Sequence, residues 1–243
     1  MALSAGVRHI LCVVGARPNF MKIAPIMRAF GQADSLLNAQ LLHTGQHYDA
    51  AMKHSFFDQL HIPEPDIDLE VGSGSHALQT ADIMKRFEPV LDDNPPVAVL
   101  VVGDVNSTIA CALVAVKKGI PVIHVEAGLR SGDRQMPEEI NRILTDQLSE
   151  LLFTTEASAE DNLAREGIAR SRVHFVGNVM IDTLLFNLEH AVPAGTTLAS
   201  VGISTDEQGA YGLITLHRPS NVDDPVVLEK LLKVLGKISQ RTP

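Results

Sequence analysis

The chain has only two cysteines, which give no disulfide framework. Cys12 falls in an apolar run that reads as a strand, and Cys111 in a stretch that reads as a helix. Both read as small buried hydrophobes. No apolar run approaches the length that spans a bilayer, so no membrane partner is expected. The short apolar stretch within Met1–Val14 runs into Gly-Ala-Arg-Pro instead of a small-residue cleavage site, so no signal peptide is expected and the reading is cytoplasmic. A basic surplus is missing too. A net charge of −9 argues against a non-specific nucleic-acid binder. It leaves room for an anionic small substrate, because local arginine clusters override the global sign. There is no internal repeat and no low-complexity tract. Neither G-x-G-x-x-G nor G-x-x-x-x-G-K-S/T follows the first strand, which removes the nicotinamide fingerprint and the P-loop. His124-x-Glu126 has the look of a deaminase zinc motif, but no P-C-x-x-C follows it. His43 and His47 are separated by a Thr-Gly-Gln turn, so helical ligand spacing does not apply. No metal is expected.

What is present is an ordinary soluble composition, 45% apolar and 20% charged over 243 residues, with length for one large domain or two modest ones. Apolar runs at His9–Gly15, 97–103, 121–125, 151–155 and 173–177 read as strands, as do 40–45 and the shorter 67–71. Helical spacing falls between them, at 22–30, through Leu60, to Leu91, through Lys118, 137–149, to Glu166 and 180–190. Strands that are continuous apolar runs, alternating with helices, predict an α/β fold: a Rossmann-like parallel sheet with helices on both faces. Residues 1–190 read as this domain and 191–208 as a linker rich in Pro, Gly, Ser and Thr. Residues 209–243 read as one strand, 211–217, and one helix, 225–240. That pair cannot bury a core of its own.

The chemistry gathers at strand ends, where open α/β sheets bind ligands. Arg17, Gln46 with His47, Asp104, Glu126 and His217 stand there. The stretch from His124 to Arg142 is the densest, with Glu126, Asp133, Glu138, Arg130, Arg134 and Arg142 behind one apolar strand. Pro137 fits the first position of a helix, with Glu138 and Glu139 in its first turn. Asp104 equally suits a helix cap, Glu138 a dipole partner and Lys22 a solvated helix residue. Glu126 has no such alternative. Paired carboxylates near a histidine suit general acid–base work. Arg17, Lys22 and Arg142 suit a phosphate, the arginines bidentately and the lysine as a point charge.

Taken in order, Gly15-Ala-Arg-Pro-Asn-Phe-Met-Lys-Ile-Ala-Pro25, Thr44-Gly-Gln-His47, Gly103-Asp104, His124-Val-Glu-Ala-Gly-Leu-Arg130, Pro137-Glu-Glu-x-Asn-Arg142, Gly177-Asn178 and His217-Arg218 resemble the UDP-N-acetylglucosamine 2-epimerase family over nearly the whole chain. The resemblance implies the N-terminal domain of a glycosyltransferase-B-like two-domain fold, with the second domain incomplete here because family chains continue further. It implies interconversion of UDP-N-acetylglucosamine and UDP-N-acetylmannosamine by loss and re-addition of UDP, with no cofactor. By motif, Asp104, Glu126 and Glu138 match the acid/base carboxylates and His217 the histidine at the departing phosphate. Arg17, Lys22, Gln46, His47, Arg142 and Arg218 match positions around the nucleotide sugar. The expected partners are that nucleotide sugar and further copies of the chain in a homo-oligomer, a dimer.

The resemblance departs at Asp49 and at the Gly72–Ser75 loop, where members regulated by a second substrate molecule carry Gln or Glu and an arginine. It departs again at Ser220, where the family has an acidic residue after His217-Arg-Pro. Three rival readings stand beside it: a hydrolysing epimerase that releases UDP and free N-acetylmannosamine, a catalytically inactive nucleotide-sugar-binding or assembly domain, and a glycosyltransferase of the same architecture.

Overall fold

The structure is a computed structural model and describes residues 8–32, 37–45, 56–202, 212–216 and 219–241. The chain divides into two compact units, Met1–Glu189 and His190–Pro243. The first is built on one sheet of seven strands: β1 (Arg8–Val14), β2 (Leu37–His43), β3 (Ile67–Asp68), β4 (Ala98–Val102), β5 (Val122–Ala127), β6 (Leu151–Thr154) and β7 (Val173–Phe175). Their order is β3-β2-β1-β4-β5-β6-β7, and every pairing is parallel.

The apolar runs explain why the sheet is covered twice. Side chains alternate across a strand. Ile10, Cys12 and Val14 of β1, with Leu100 and Val102 of β4, join Phe20 and Ile23 of the helix Arg17–Gln32 in one core. Leu11, Val13, Val99 and Val101 point the other way, onto Ile83, Phe87 and Leu91 of the helix His76–Asp93 and Ala112 and Ala115 of the helix Asn106–Lys117. A third, smaller core gathers Ala127, Leu152, Leu163, Ile168 and Val173.

Two elements of the first unit depart from the sequence reading. The first helix begins at Arg17, not at Lys22, because Pro18 in its first turn gives up an N–H that would have no partner there. Pro25 lies inside the same helix and leaves the Met21 carbonyl without its usual donor. Thr183, on the helix Val179–Leu188, supplies it: the hydroxyl donates to that carbonyl at 2.6 Å. β3 stops at Asp68 and not at Val71. The guanidinium of Arg86 takes the carbonyls of Leu69 and Glu70, at 2.7 and 2.9 Å, and Glu70 has a φ of +50°.

The second unit holds the helices Ala194–Ser200, Pro219–Val222 and Pro225–Ile238. The stretch read as a linker thus contains a helix. Residues 212–216 form no strand, contrary to the expectation for 211–217. Asp224 caps the last helix, accepting from Val226 N at 2.8 Å, with Pro225 at its first position. None of the described residues in this unit is buried, so an apolar run such as Gly212–Leu216 has no core to pair into. Among the described residues of the whole chain no helix is long and apolar enough to cross a membrane.

Candidate active site

The strand order reverses between β1 and β4, and the crevice beyond their carboxyl ends is where such a sheet takes a ligand. Three turns meet there. Asn19 is almost wholly buried and ties two of them: its Oδ1 accepts from Gly15 N and Ala16 N, both at 3.1 Å, and its Nδ2 donates to the Val102 carbonyl at 2.9 Å. The hydroxyls of Thr44 and Ser107 meet at 2.7 Å directly over Gly15, where any Cβ would strike both.

Lys22 comes to this crevice from the first helix, one and a half turns past Arg17. It is buried and forms an ion pair with Glu126 of β5. The solvated-lysine alternative is thereby set aside. Glu126 itself has a φ of +73°, an uncommon backbone for a residue with a side chain, and the β5–β6 register shifts across it, between Val125 and Ala127. Gly103, with a φ of +67°, lies beneath the pair, and a Cβ there would sit 2.7 Å from Lys22 Nζ.

Asp104 does not cap the helix that follows it, for the cap position is Val105. Its carboxylate accepts from Arg142 Nη2 at 2.5 Å instead, and its backbone carbonyl accepts from Asn141 at 2.9 Å. Arg142 lies on the helix Pro137–Leu148, and its other terminal nitrogen is 3.2 Å from Glu139. Glu138 is half-buried in the first turn of that helix, with no hydrogen-bonding or ionic partner among the described residues. Arg17 is exposed, its guanidinium 5.0 Å from the centre of the Phe56 ring. Gln46, His47, His217 and Arg218 lie outside the described residues. The structure therefore brings Lys22, Asp104, Glu126 and Arg142 together as two cation–carboxylate pairs.

Sequence reasoning missed the residues that hold this frame. Glu139, read only as a partner of the helix dipole, is buried and accepts from the backbone of Ser131 and Gly132, both at 3.0 Å. Burial raises its affinity for a proton, but these amides and Arg142 prevail and hold its carboxyl below the usual range. Asp146 is completely buried and faces His124 Nδ1 at 2.6 Å, Arg130 Nη2 at 2.7 Å and Gly128 N at 3.0 Å. Burial pushes its carboxyl up, while the charges of His124 and Arg130 and their hydrogen bonds pull it down further. The one signal in the sequence is a polar series on one helix face, Glu139, Arg142, Asp146 and Ser149, at helical spacing.

The profile of the family described as UDP-N-acetylglucosamine 2-epimerase matches residues 31–243. A UDP-2,3-diacetamido-2,3-dideoxy-D-glucuronate 2-epimerase of Pseudomonas aeruginosa is 43% identical over 231 residues, 94% of this chain and 63% of that protein. A UDP-N-acetylglucosamine 2-epimerase homolog of Methanococcus maripaludis is 46% identical over 233 residues, again with 63% of its length covered. The crystal structure of the Methanocaldococcus jannaschii UDP-GlcNAc 2-epimerase with UDP-GlcNAc and UDP superposes with a TM-score of 0.82 at 40% identity, over 96% of this chain and 63% of that one. The chain thus spans about three fifths of the length of these relatives. With the profile covering most of its residues, the chain belongs to the UDP-N-acetylglucosamine 2-epimerase family.

Proposed function

We propose that this chain carries the acid–base half of a UDP-N-acetylglucosamine 2-epimerase. The observation that carries the reading is the placement of Asp104 and Glu126 beyond adjacent strands, each paired to a cation, with Glu138 beside Arg142's helix turn and without a partner among the described residues. In the proposed reaction a carboxylate removes the C2 proton as the C1–O bond breaks, the bonding electrons leaving with UDP. The proton returns to the opposite face of C2 and UDP re-adds at C1, so that no atom or electron is gained or lost. A base that is already ion-paired must disturb that pair to accept a proton, whereas Glu138 need not. We therefore assign Glu138 to proton transfer and Glu126 and Asp104 to the electrostatics around the reacting carbon. His217 is proposed at the departing phosphate, and Arg17, Gln46, His47 and Arg218 around the nucleotide sugar, all by motif. A cytoplasmic homo-oligomer completes the reading, supported by the exposed Ile181, Leu184 and Leu188 on one helix.

The similarity to the Pseudomonas enzyme favours a second substrate, a UDP-sugar with a 3-acetamido group and a C6 carboxylate, for the same chemistry at C2. Proton NMR in heavy water separates the readings. Deuterium at C2 of UDP-N-acetylglucosamine together with UDP-N-acetylmannosamine is the expected result. Exchange only with the diacetamido-glucuronate substrate moves the specificity, and free N-acetylmannosamine with UDP moves the reaction to hydrolysis. Absence of exchange with either substrate removes the catalytic reading for this chain.

A further inference from the structure

Glu126 is held in a left-handed backbone conformation, φ +73°, at the point where the β5–β6 register slips. Such a conformation persists in a residue with a side chain only where the surroundings over-determine it. Asp146, from the helix Pro137–Leu148, reaches both sides of that residue. One carboxylate oxygen accepts from the ring of His124, two residues before Glu126, at 2.6 Å. The other accepts from the backbone N–H of Gly128, two residues after it, at 3.0 Å, and from Arg130 at 2.7 Å. Neither His124 nor Asp146 is accessible to solvent.

The bracket is itself tied down. His124 faces the Asp146 carboxylate with Nδ1 and the Gly103 carbonyl with Nε2, at 2.9 Å, so both ring nitrogens are engaged. Gly103 N in turn donates to the Val125 carbonyl at 3.1 Å. Arg130 is gripped from behind by a bidentate contact with Glu166, at 2.6 and 2.7 Å, and Asn162 Nδ2 donates to the Gly128 carbonyl at 2.9 Å. The backbone on either side of Glu126 is therefore held by hydrogen bonds, of which those of Asp146 to His124 and Gly128 are buried.

We propose that Asp146 is a positioning residue for this site: through His124 and Gly128 it clamps Glu126 in the strained conformation that aims its carboxylate at Lys22 and the crevice. The inference rests on the epimerase reading for its kinetic part, but the backbone part stands alone.

Three variants of the chain test it. Asp146→Asn keeps an oxygen for Gly128 N and Arg130 and offers an N–H to a His124 ring that then accepts at Nδ1 and still donates to Gly103. It is expected to retain the Glu126 conformation and kcat within about threefold. Asp146→Ala removes both anchors, and kcat is expected to fall about a hundredfold with KM nearly unchanged, because a small displacement of a catalytic group costs about that much. His124→Gln keeps a donor toward Gly103 but gives up the bond to Asp146. It is expected to lose about tenfold in kcat, and it serves if Asp146→Ala does not fold. Each variant is also read by the three-bond coupling between Glu126 Hα and the carbonyl carbon of Val125, which is large at this positive φ and small at a negative φ of similar size. A positive φ at Glu126 retained in the folded Ala variant, or in the His124 variant if the Ala variant does not fold, overturns the proposal. So does a loss carried by KM alone, or an Asn variant as impaired as the Ala variant. If the unaltered chain exchanges no C2 proton, the epimerase reading fails, and the coupling measurement alone decides the clamp.

Discussion

Lys22 on the first helix meets Glu126 at the end of β5 in an ion pair that leaves their side chains only 8% and 14% exposed. Removing one partner of a buried pair costs about 3–5 kcal/mol, because the other charge is left without compensation. Lys22→Met is expected to lower the unfolding free energy by about that amount, and adding Glu126→Gln should recover part of it. Urea unfolding of the two single variants and the double variant measures the coupling. Strictly additive losses would show that the pair does not act as a unit.

Arg142 joins two carboxylates that arrive from different elements, Asp104 at 2.5 Å and Glu139 at 3.2 Å. A lysine ammonium is a point charge and cannot reproduce a planar fork that serves both. On the proposed epimerase reading, Arg142→Lys should therefore keep the net charge and the fold yet lower kcat/KM by about a hundredfold, through misplacement of Asp104. The rate of C2–H exchange in heavy water reads the effect, and circular dichroism checks the fold.

Glycine at position 103 is required twice over. Its φ is +67°, and an added Cβ would lie 2.7 Å from Lys22 Nζ and 3.2 Å from Glu126 Oε2. Gly167 has a φ of +82° with open space around it, so it isolates the backbone contribution. Gly167→Ala is expected to cost about 1–2 kcal/mol from conformation alone. Gly103→Ala should cost more than that and weaken the Lys22–Glu126 coupling as well. Equal losses at the two positions would remove the steric part of the argument.

The contrast between these residues and Asp146 shows what the amino-acid sequence makes legible. Short apolar runs bounded by turn residues and alternating with helical spacing suit strands covered on both faces, so the parallel sheet could be read directly, and strand ends pointed to Asp104 and Glu126. The frame was harder to read, because its logic is inverted. In the helix Pro137–Leu148 the buried residues are Glu139, Thr145 and Asp146, while Leu144 is 49% exposed. An amphipathic reading puts the leucine inside and the acids outside. Glu138 and Glu139 are neighbours in one turn, and only the rotation of the helix decides which one meets the Ser131 and Gly132 amides. The missing strand at 212–216 has a related cause, since an apolar run makes a strand only where a sheet receives it.

Glu139 and Asp146 are also expected to make the fold sensitive to acid. Both carboxyls are held below their usual range, Glu139 by backbone amides and Arg142 and Asp146 by His124 and Arg130, against the opposing effect of burial. A group depressed in the folded state contributes stability that is complete above its unfolded pKa, about 4 for a carboxylate. That contribution is lost as pH falls from there through the lower folded value. Thermal midpoints of the unaltered chain should therefore drop steeply below about pH 4. Glu139→Gln should be less stable at neutral pH but flatter across that window, because its amide takes up no proton. Parallel pH curves for the two proteins would count against Glu139 as a contributor.

The hydroxyl of Thr183 stands in for an N–H that Pro25 lacks, donating to the Met21 carbonyl at 2.6 Å. Valine has nearly the shape of threonine but no donor, so Thr183→Val leaves that carbonyl unpaired at a cost of about 1–3 kcal/mol. Pro25→Ala restores a backbone N–H in register with Met21, and the helix can then satisfy the carbonyl from within. In that background Thr183→Val is expected to cost less than about 1 kcal/mol, as the loss of an ordinary hydrogen bond does. Denaturant unfolding of the four proteins in this cycle tests the compensation. If Thr183→Val costs the same with proline and with alanine at position 25, the hydroxyl is not replacing the missing donor.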